Sequence, residues 1–146
     1  DTARGPGVAP VPRDDDGPRY RLLLVDDNES TRSVAADYLT ARGFTVTVAG
    51  DAIAGIEMAR ASRPDLILMD VQMPGMDGLQ AASIIRRDPA LALIPVFALT
   101  SLAMKGDRER CLKAGFDDHI AKPVPLNELA TQIRQFLGRR ALEVHG

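Results

Sequence analysis

The sequence predicts an α/β domain in which helices cover both faces of a doubly wound, five-stranded parallel sheet. Three observations support this prediction. Short apolar runs alternate with longer amphipathic stretches from Tyr20 onward, an order typical of repeated β-α units. Most of the apolar runs are unbroken, as expected for strands that are buried on both faces. Right-handed crossovers then leave few topologies, and five strands of this kind most often take the order 2-1-3-4-5.

Five apolar runs predict the strands. The second run overlaps the segment TVTVA, residues 45–49, in which polar and apolar residues alternate; this pattern suits the edge position that the strand order gives to the second strand. The fifth run is the shortest. The predicted strands comprise residues 22–25, 44–48, 66–69, 96–99 and 120–121.

Five amphipathic stretches predict the helices, because their apolar residues recur at helical spacing. Asp51 is a candidate N-cap of the second helix, and Pro125 suits the first turn of the last one. Gly43 and Gly138 are predicted to end the first and the last helix, since glycine is common just beyond a helix C-terminus. The fourth helix is predicted over residues 103–114. The positions that define the other four faces are Val34, Ala35, Tyr38 and Leu39; Ile53, Ile56 and Ala59; Leu79, Ala82 and Ile85; and Leu126, Leu129, Ala130, Ile133 and Leu137.

The chain of 146 residues is long enough for about one domain. Residues 1–19 hold four prolines and three glycines, a composition typical of a linker or a mobile tail. We therefore predict a folded domain over residues 20–138 and a C-terminal tail over residues 139–146. The single cysteine, Cys111, excludes an internal disulfide and is expected in the core.

Composition also excludes several classes of function. A net charge of -2 and an aromatic content of 4% disfavour nucleic-acid binding. No apolar run approaches the ~20 residues that cross a bilayer, and the N-terminus has no apolar segment of signal-peptide type. We therefore expect a cytoplasmic protein whose domain makes no membrane contact.

Polar side chains follow four of the predicted strands, at the point where each strand ends. Asp26 and Asp27 follow strand 1, and Asp70 follows strand 3. Thr100 follows strand 4 and Lys122 follows strand 5. The carboxyl ends of parallel strands meet at one edge of the sheet, and ligands bind there beside the reversal of strand order. We therefore expect these side chains to share one pocket.

The three carboxylates predict a site for a divalent cation. Like charges a few ångströms apart repel strongly in a poorly solvated crevice. Oxygen ligands suit Mg²⁺, or Mn²⁺ as a substitute, and the sequence offers no His or Cys pair for zinc or copper. Asp70 is then the candidate nucleophile toward phosphorus. Lys122 and Thr100 are candidates for contacts with phosphoryl oxygens.

Taken singly, each of these residues has an ordinary structural explanation. The pair Asp26-Asp27 suits a solvated turn or a helix cap, Thr100 suits a cap, and Lys122 suits an exposed loop. Their coincidence at four strand ends of one sheet favours a common pocket.

Four segments resemble the receiver domain of bacterial response regulators. They read LLLVDDNESTR, PDLILMDVQMPGMDGL, PVFALTS and AGFDDHIAKPV, and the resemblance covers Arg21 to about Leu137. The chain is similar to the chemotaxis regulator and to receivers of hybrid histidine kinases. The resemblance implies a flavodoxin-like fold and a phosphorylatable switch of two-component signalling that catalyses only its own phosphotransfer and dephosphorylation. It also implies that Asp70 accepts the phosphoryl group from a histidine kinase or a histidine phosphotransfer protein.

The resemblance further implies the metal ligands. Asp27 and Asp70 would bind Mg²⁺ together with the backbone carbonyl of Gln72. Asp26 would act largely through water.

A conformational switch is implied as well. Thr100 and Lys122 would bind phosphoryl oxygens, and the Lys122-Pro123 peptide bond would be cis. His119, three residues before the lysine, stands where Tyr or Phe is commoner. Movement of Thr100 and of this ring would remodel the face formed by helix 4, strand 5 and helix 5.

Two other functions stay open. A receiver-like interaction module would keep the fold and signal without phosphorylation. A small phosphohydrolase would also pass through an aspartyl phosphate, but such enzymes typically need a second carboxylate two residues after the nucleophile. That position is Gln72 here, which disfavours substrate turnover.

Signal output is expected to pass through a downstream protein partner. The nine residues after Leu137 are too few for a DNA-binding domain, so we expect a receiver of a hybrid histidine kinase or a single-domain regulator. Helix 1, with Arg32 at its rim, is a candidate docking surface for a phosphotransfer helix bundle, although an ordinary solvated helix face explains it equally well.

Overall fold

A computed structural model describes residues 19–73, 75–76, 78–100 and 107–145. These residues form five strands and five helices in strict alternation. The strands are β1 (Arg21–Val25), β2 (Thr45–Ala49), β3 (Leu66–Asp70), β4 (Val96–Thr100) and β5 (Asp118–Ala121). The helices are α1 (Glu29–Ala41), α2 (Ala52–Ser62), α3 (Gly78–Arg87), α4 (Asp107–Ala114) and α5 (Leu126–His145).

The strands form one parallel sheet in the order β2-β1-β3-β4-β5. This order confirms the predicted fold class and topology, including the edge position of β2. Val25 pairs with Met69 in the register of β1 and β3. The next residue of each chain segment is an aspartate, so the two strands deliver Asp26 and Asp70 at the same level.

Two apolar layers cover the sheet, because successive residues of a strand face opposite sides. Leu23 and Val25 belong to the layer that α2, α3 and α4 complete. Leu22 and Leu24 belong to the layer completed by α1 and α5. Cys111 is buried in α4, as predicted for a core residue.

Two of the predicted helix-end signals, one at a helix start and one at a helix end, are found in the structure. The carboxylate of Asp51 accepts a hydrogen bond of 2.8 Å from the backbone N–H of Ala54 and caps α2. Gly43, just beyond α1, has φ 99°, a conformation that favours glycine.

The predicted end of the last helix at Gly138 is wrong. Helix α5 runs through Gly138 to His145. A Cβ at this glycine would meet nothing within 4 Å, so neither crowding nor a turn requires glycine there. A glycine inside a helix costs only about 1 kcal/mol relative to alanine, and the sequence RRALE that follows favours helix.

Smaller differences concern the strand boundaries. Asp70 and Thr100 are the last residues of β3 and β4, and β5 begins at Asp118, earlier than predicted. The predicted linker lies outside the described residues except for Arg19. The beginning of the predicted fourth helix lies outside them too.

Candidate functional site

The buried polar side chains of the described residues lie at one edge of the sheet. Asp26, Asp70 and Thr100 are 0%, 3% and 2% exposed, and they stand at the carboxyl ends of β1, β3 and β4. Burial of a charged group is unfavourable unless the group is paired and hydrogen-bonded. The partners of these side chains therefore indicate what the site can do.

Three carboxylates converge at this edge. One oxygen each of Asp26, Asp27 and Asp70 lies within 4.8 Å of the others. Asp26 and Asp70 are buried, whereas Asp27 is exposed and opens the cluster to solvent. A set of hard oxygen ligands with a solvent-facing side fits Mg²⁺, which retains several waters when bound to protein. The sheet thus brings together the acidic residues that the sequence predicted.

Lys122 reaches the same cluster from the end of β5. Its Nζ lies 3.1 Å from Oδ2 of Asp70 and 3.3 Å from Oδ2 of Asp26. The following peptide bond, Lys122-Pro123, is cis, as the resemblance implied. The ammonium group therefore bridges the two buried carboxylates.

Burial raises the pKa of Asp70 above its ordinary value. The backbone N–H of Gln72 and the ammonium of Lys122 oppose this effect, whereas the charge of Asp26 adds to it. Burial alone would lower the pKa of Lys122, but the hydrogen bond and charge of Asp70, with help from Asp26, raise it. Burial of the ionised Asp70 is therefore only partly offset by Gln72 and Lys122.

The loop after β3 orients the Asp70 side chain. The backbone N–H of Gln72 donates to Oδ1 of Asp70 at 3.0 Å, so each carboxylate oxygen of Asp70 has its own donor. Gly78, the first residue of α3, lies against the backbone of Asp70: a Cβ at Gly78 would be 2.6 Å from the Asp70 carbonyl oxygen and 2.7 Å from Cα of Val71. Glycine at this position lets the helix begin directly beside the strand end.

The turn after β1 holds Asp26 on three sides. Its Oδ1 accepts from the backbone N–H of Asn28 at 2.9 Å, and its own N–H donates to the carbonyl of Ala49 at 3.1 Å. Its carbonyl oxygen accepts from Nη1 of Arg32 at 2.8 Å. Sequence reasoning placed Arg32 at the rim of a docking surface and missed this contact.

Thr100 and His119 lie on the neighbouring strands β4 and β5. Thr100 pairs with Ala121, and His119 pairs with Ala98, two residues before Thr100. His119 is half-buried, and its Nδ1 is buried without a hydrogen-bond partner among the described residues. The register places the two residues of the predicted switch on adjacent strands, with Thr100 at the site edge and His119 two residues back from it.

A largely apolar groove of about 590 Å³ opens from the site between α1 and α5. Asp26 and Lys122 form its polar end. Val34 on α1 is 60% exposed there. The remaining lining includes Ala35, Pro123, Val124, Leu126 and Leu129.

Comparison with protein families gives one match over most of the chain. Residues 22–134 match the response regulator receiver domain. A polar-differentiation response regulator, DivK of Brucella anthropi, is 36% identical over 117 residues, which is 80% of this chain and 95% of the relative.

Two solved structures show the same similarity. The receiver domain of a sensor histidine kinase from Pseudomonas aeruginosa, described with a magnesium ion coordinated in its active site cleft, is 37% identical with a TM-score of 0.76, over 83% of this chain and 99% of that one. The receiver domain of a Francisella response regulator is 25% identical with a TM-score of 0.78, over 84% of this chain and 99% of that one. Among the helices of the described residues, none has both the length and the apolar character needed to cross a membrane.

Proposed function

Because this chain belongs to the response regulator receiver domain family of two-component signalling, we propose that Asp70 is its phosphoacceptor. The observation that carries the proposal is the environment of this carboxylate. Asp70 is buried at the end of a central strand, Gln72 and Lys122 each donate to one of its oxygens, and two further carboxylates converge on it. A purely structural aspartate has no need of two acidic neighbours.

Phosphoryl transfer from a phosphohistidine donor then proceeds as follows. An oxygen of Asp70 attacks phosphorus, the bond between phosphorus and the donor imidazole nitrogen breaks, and that nitrogen keeps the electron pair. The N–H of Gln72 restricts rotation of the carboxylate, so one oxygen is presented in a fixed direction. Lys122, which pairs with Oδ2 of Asp70 in this state, is within reach of an oxygen of the incoming phosphoryl group. Thr100 supplies a hydroxyl at the adjacent strand end.

Receiver domains bind Mg²⁺ at an acidic site, and we propose Asp27, Asp70 and the backbone carbonyl of Gln72 as its protein ligands here. Asp26, which is bonded to Asn28 and Lys122, acts through water. When bound, Mg²⁺ or Mn²⁺ supplies positive charge to the transferring phosphoryl oxygens.

Receiver domains interact with histidine kinases, phosphotransfer proteins and downstream partners. For this chain we propose that the groove between α1 and α5 receives a helix of the phosphodonor, because it is apolar and leads directly to Asp26 and Lys122. Substitution of exposed Val34 by Asp is expected to slow transfer from a phosphohistidine protein more than transfer from acetyl phosphate. The domain could belong to a hybrid histidine kinase or form a single-domain regulator. The similar receiver from Pseudomonas aeruginosa is part of a sensor histidine kinase, whereas DivK is matched over 95% of its own length.

We propose Thr100 and His119 as the switch that couples phosphorylation to the face of α4, β5 and α5. Their positions on adjacent strands support this role. Beryllofluoride with Mg²⁺, which mimics an aspartyl phosphate, should change the amide chemical shifts of both residues.

Incubation with acetyl phosphate tests the proposal. The wild-type chain should gain the mass of one phosphoryl group only when Mg²⁺ is present, and Asp70→Asn should gain none. Asp37→Asn is a matched control, since this aspartate is exposed on α1. Labelling of the Asp70→Asn variant would refute the assignment. Binding of partner proteins without any labelling of the wild type would instead favour the phosphorylation-independent module.

A further inference from the structure

Arg32 is bonded to the peptide group that joins the first two acidic residues of the site. It lies in the first turns of α1, and its half-buried guanidinium donates from Nη1 to the carbonyl oxygen of Asp26 at 2.8 Å. That carbonyl shares a planar peptide unit with the nitrogen and Cα of Asp27. A bond to the carbonyl therefore fixes the direction in which the chain, and the Asp27 side chain, leaves β1.

The preceding peptide group is bonded to β2. The N–H of Asp26 donates to the carbonyl of Ala49 at 3.1 Å. The next residue, Gly50, passes over the guanidinium of Arg32: a Cβ at Gly50 would be 3.3 Å from Nη1 and 3.9 Å from Cζ. Because Gly50 has no side chain, the guanidinium of Arg32 fits between β1 and the turn after β2.

The contact is to backbone rather than to the carboxylates. Within the described part of the chain, the guanidinium of Arg32 makes no ion pair shorter than 4.0 Å. Lys122 differs in this respect, because its ammonium pairs directly with the carboxylates of Asp26 and Asp70. Arg32 is therefore suited to set geometry, whereas Lys122 offsets charge.

We propose that Arg32 is a positioning residue for divalent-cation binding, because it fixes the peptide unit between Asp26 and Asp27. The inference rests on the proposed function, in which Asp27 is a metal ligand. Groups that orient metal ligands typically contribute about 10–100-fold to metal affinity.

Two physical effects predict opposite results on removal of Arg32. Loss of a positive charge close to a cation site strengthens cation binding. Loss of the bond that orients Asp27 weakens it. Positioning therefore predicts that Arg32→Met weakens Mg²⁺ binding by about tenfold or more. Arg32→Lys keeps the charge and loses the planar fork, so any weakening of Mg²⁺ binding in this variant reports the loss of positioning without the opposing effect of charge.

The experiment measures Mg²⁺ affinity by titration of the amide resonances, together with thermal unfolding in EDTA. The amide of Asp27 belongs to the fixed peptide unit, so its chemical shift should move in metal-free Arg32→Met. Labelling from acetyl phosphate should recover at saturating Mg²⁺. Gly50→Ala keeps the arginine and displaces it by a few tenths of an ångström, so it should weaken Mg²⁺ binding slightly even if Arg32→Met fails to fold. Arg60→Met is the control, because Arg60 pairs with Asp88 away from the site.

Unchanged or tighter Mg²⁺ binding by Arg32→Met or Gly50→Ala, with a wild-type chain that binds, would overturn the role of Arg32 alone. Failure of the wild-type chain to bind Mg²⁺ would overturn the proposed function and this inference together. A loss of labelling that saturating Mg²⁺ does not restore would also contradict a role in cation binding.

Discussion

The ammonium nitrogen of Lys122 lies 3.1 Å from Oδ2 of Asp70, and it lies 3.3 Å from Oδ2 of Asp26 as well. One side-chain cation thus neutralises part of the charge of two buried carboxylates. A divalent ion at the same carboxylates is repelled by this ammonium, but the ammonium is also placed to attract an incoming phosphoryl group. Lys122 is therefore expected to act in opposite directions on the two ligands of the site.

Substitution Lys122→Met should separate these two effects. Removal of a unit charge within a few ångströms should tighten Mg²⁺ binding by about tenfold, after allowance for solvent screening. The same change should slow labelling of Asp70 by acetyl phosphate at saturating Mg²⁺, since the charge on the transferring group loses a partner. Calorimetric titration and mass spectrometry measure the two quantities. Lys113→Met, at an exposed position of α4, should change neither, and weaker Mg²⁺ binding by Lys122→Met would contradict this account.

The raised pKa of Asp70 predicts that the site destabilises the fold. The unfolded chain releases this proton near the ordinary pKa of 3.8, whereas the folded chain releases it at a higher pH. Ionisation of Asp70 therefore favours the unfolded state above both values and has no effect below both. Asp70→Asn should raise the thermal midpoint near pH 7 in EDTA, and this gain should disappear as the pH falls below 3.8.

Addition of Mg²⁺ provides the control for that measurement. A ligand that binds only the folded state stabilises it, so Mg²⁺ should raise the midpoint of the wild-type chain and narrow its difference from Asp70→Asn. A lower midpoint for Asp70→Asn in EDTA near pH 7 would show that the charge of Asp70 stabilises the fold.

The sequence predicted the strand order and the acidic cluster for one physical reason. In a parallel sheet the carboxyl ends of all strands lie at the same edge. Polar residues that follow the apolar runs are therefore expected to lie close to one another. The register confirms this, because Val25 pairs with Met69 and the following residues are Asp26 and Asp70. Local spacing alone was sufficient to find these positions.

Contacts that depend on side-chain direction were not predictable in this way. The bond from Arg32 to the Asp26 carbonyl depends on a rotamer and on the turn after β2. The close packing of Gly78 against the backbone of Asp70 is likewise not visible in the sequence. Gly138 was wrongly predicted to end the last helix. A glycine ends a helix where the backbone adopts a left-handed conformation, whereas helix α5 continues through Gly138.

The two glycines make a matched pair of substitutions. A Cβ at Gly78 would be 2.6 Å from the Asp70 carbonyl oxygen, whereas a Cβ at Gly138 would meet nothing within 4 Å. Gly78→Ala should therefore lower stability by about 2 kcal/mol or more through backbone displacement, and it should slow labelling of Asp70. Gly138→Ala should raise stability by about 0.5–1 kcal/mol. Urea unfolding measures both, and equal effects would contradict the packing argument.

Arg86 is predicted to be a major structural cation of the domain. Its guanidinium donates to the carbonyls of Gly115, Ala92 and Ile94 at 2.7–2.8 Å and to the carboxylate of Asp117 at 2.6 Å. It thus joins the loops before β4 and β5 to α3. A lysine offers one ammonium in place of this planar fork.

Substitution Arg86→Lys should therefore cost about 2–4 kcal/mol, because several acceptors lose their donor. It should also speed hydrogen exchange in the turns before β4 and β5. Arg87→Lys is the control from the next position, since that side chain is exposed and, among the residues that the structure describes, bonds only the carbonyl of Ser83 in its own helix at 3.4 Å. Equal stability of the two variants would refute the role of Arg86.

His119 carries a buried nitrogen that the described residues leave without a hydrogen-bond partner. An unpaired buried polar atom costs about 1–3 kcal/mol. His119→Phe keeps an aromatic ring and removes the nitrogen, so it should raise the free energy of unfolding by about 1 kcal/mol. Urea unfolding of the unphosphorylated chain measures this gain.

His119→Ala separates the ring from the nitrogen. It also removes the unpaired atom, but it deletes the packing of the ring, so it should be less stable than His119→Phe. If the ring itself transmits the switch, beryllofluoride with Mg²⁺ should still shift the amides of β5 and α5 in His119→Phe and should shift them less in His119→Ala. A full response in His119→Ala would remove this residue from the switch, while the phosphoacceptor role of Asp70 would stand.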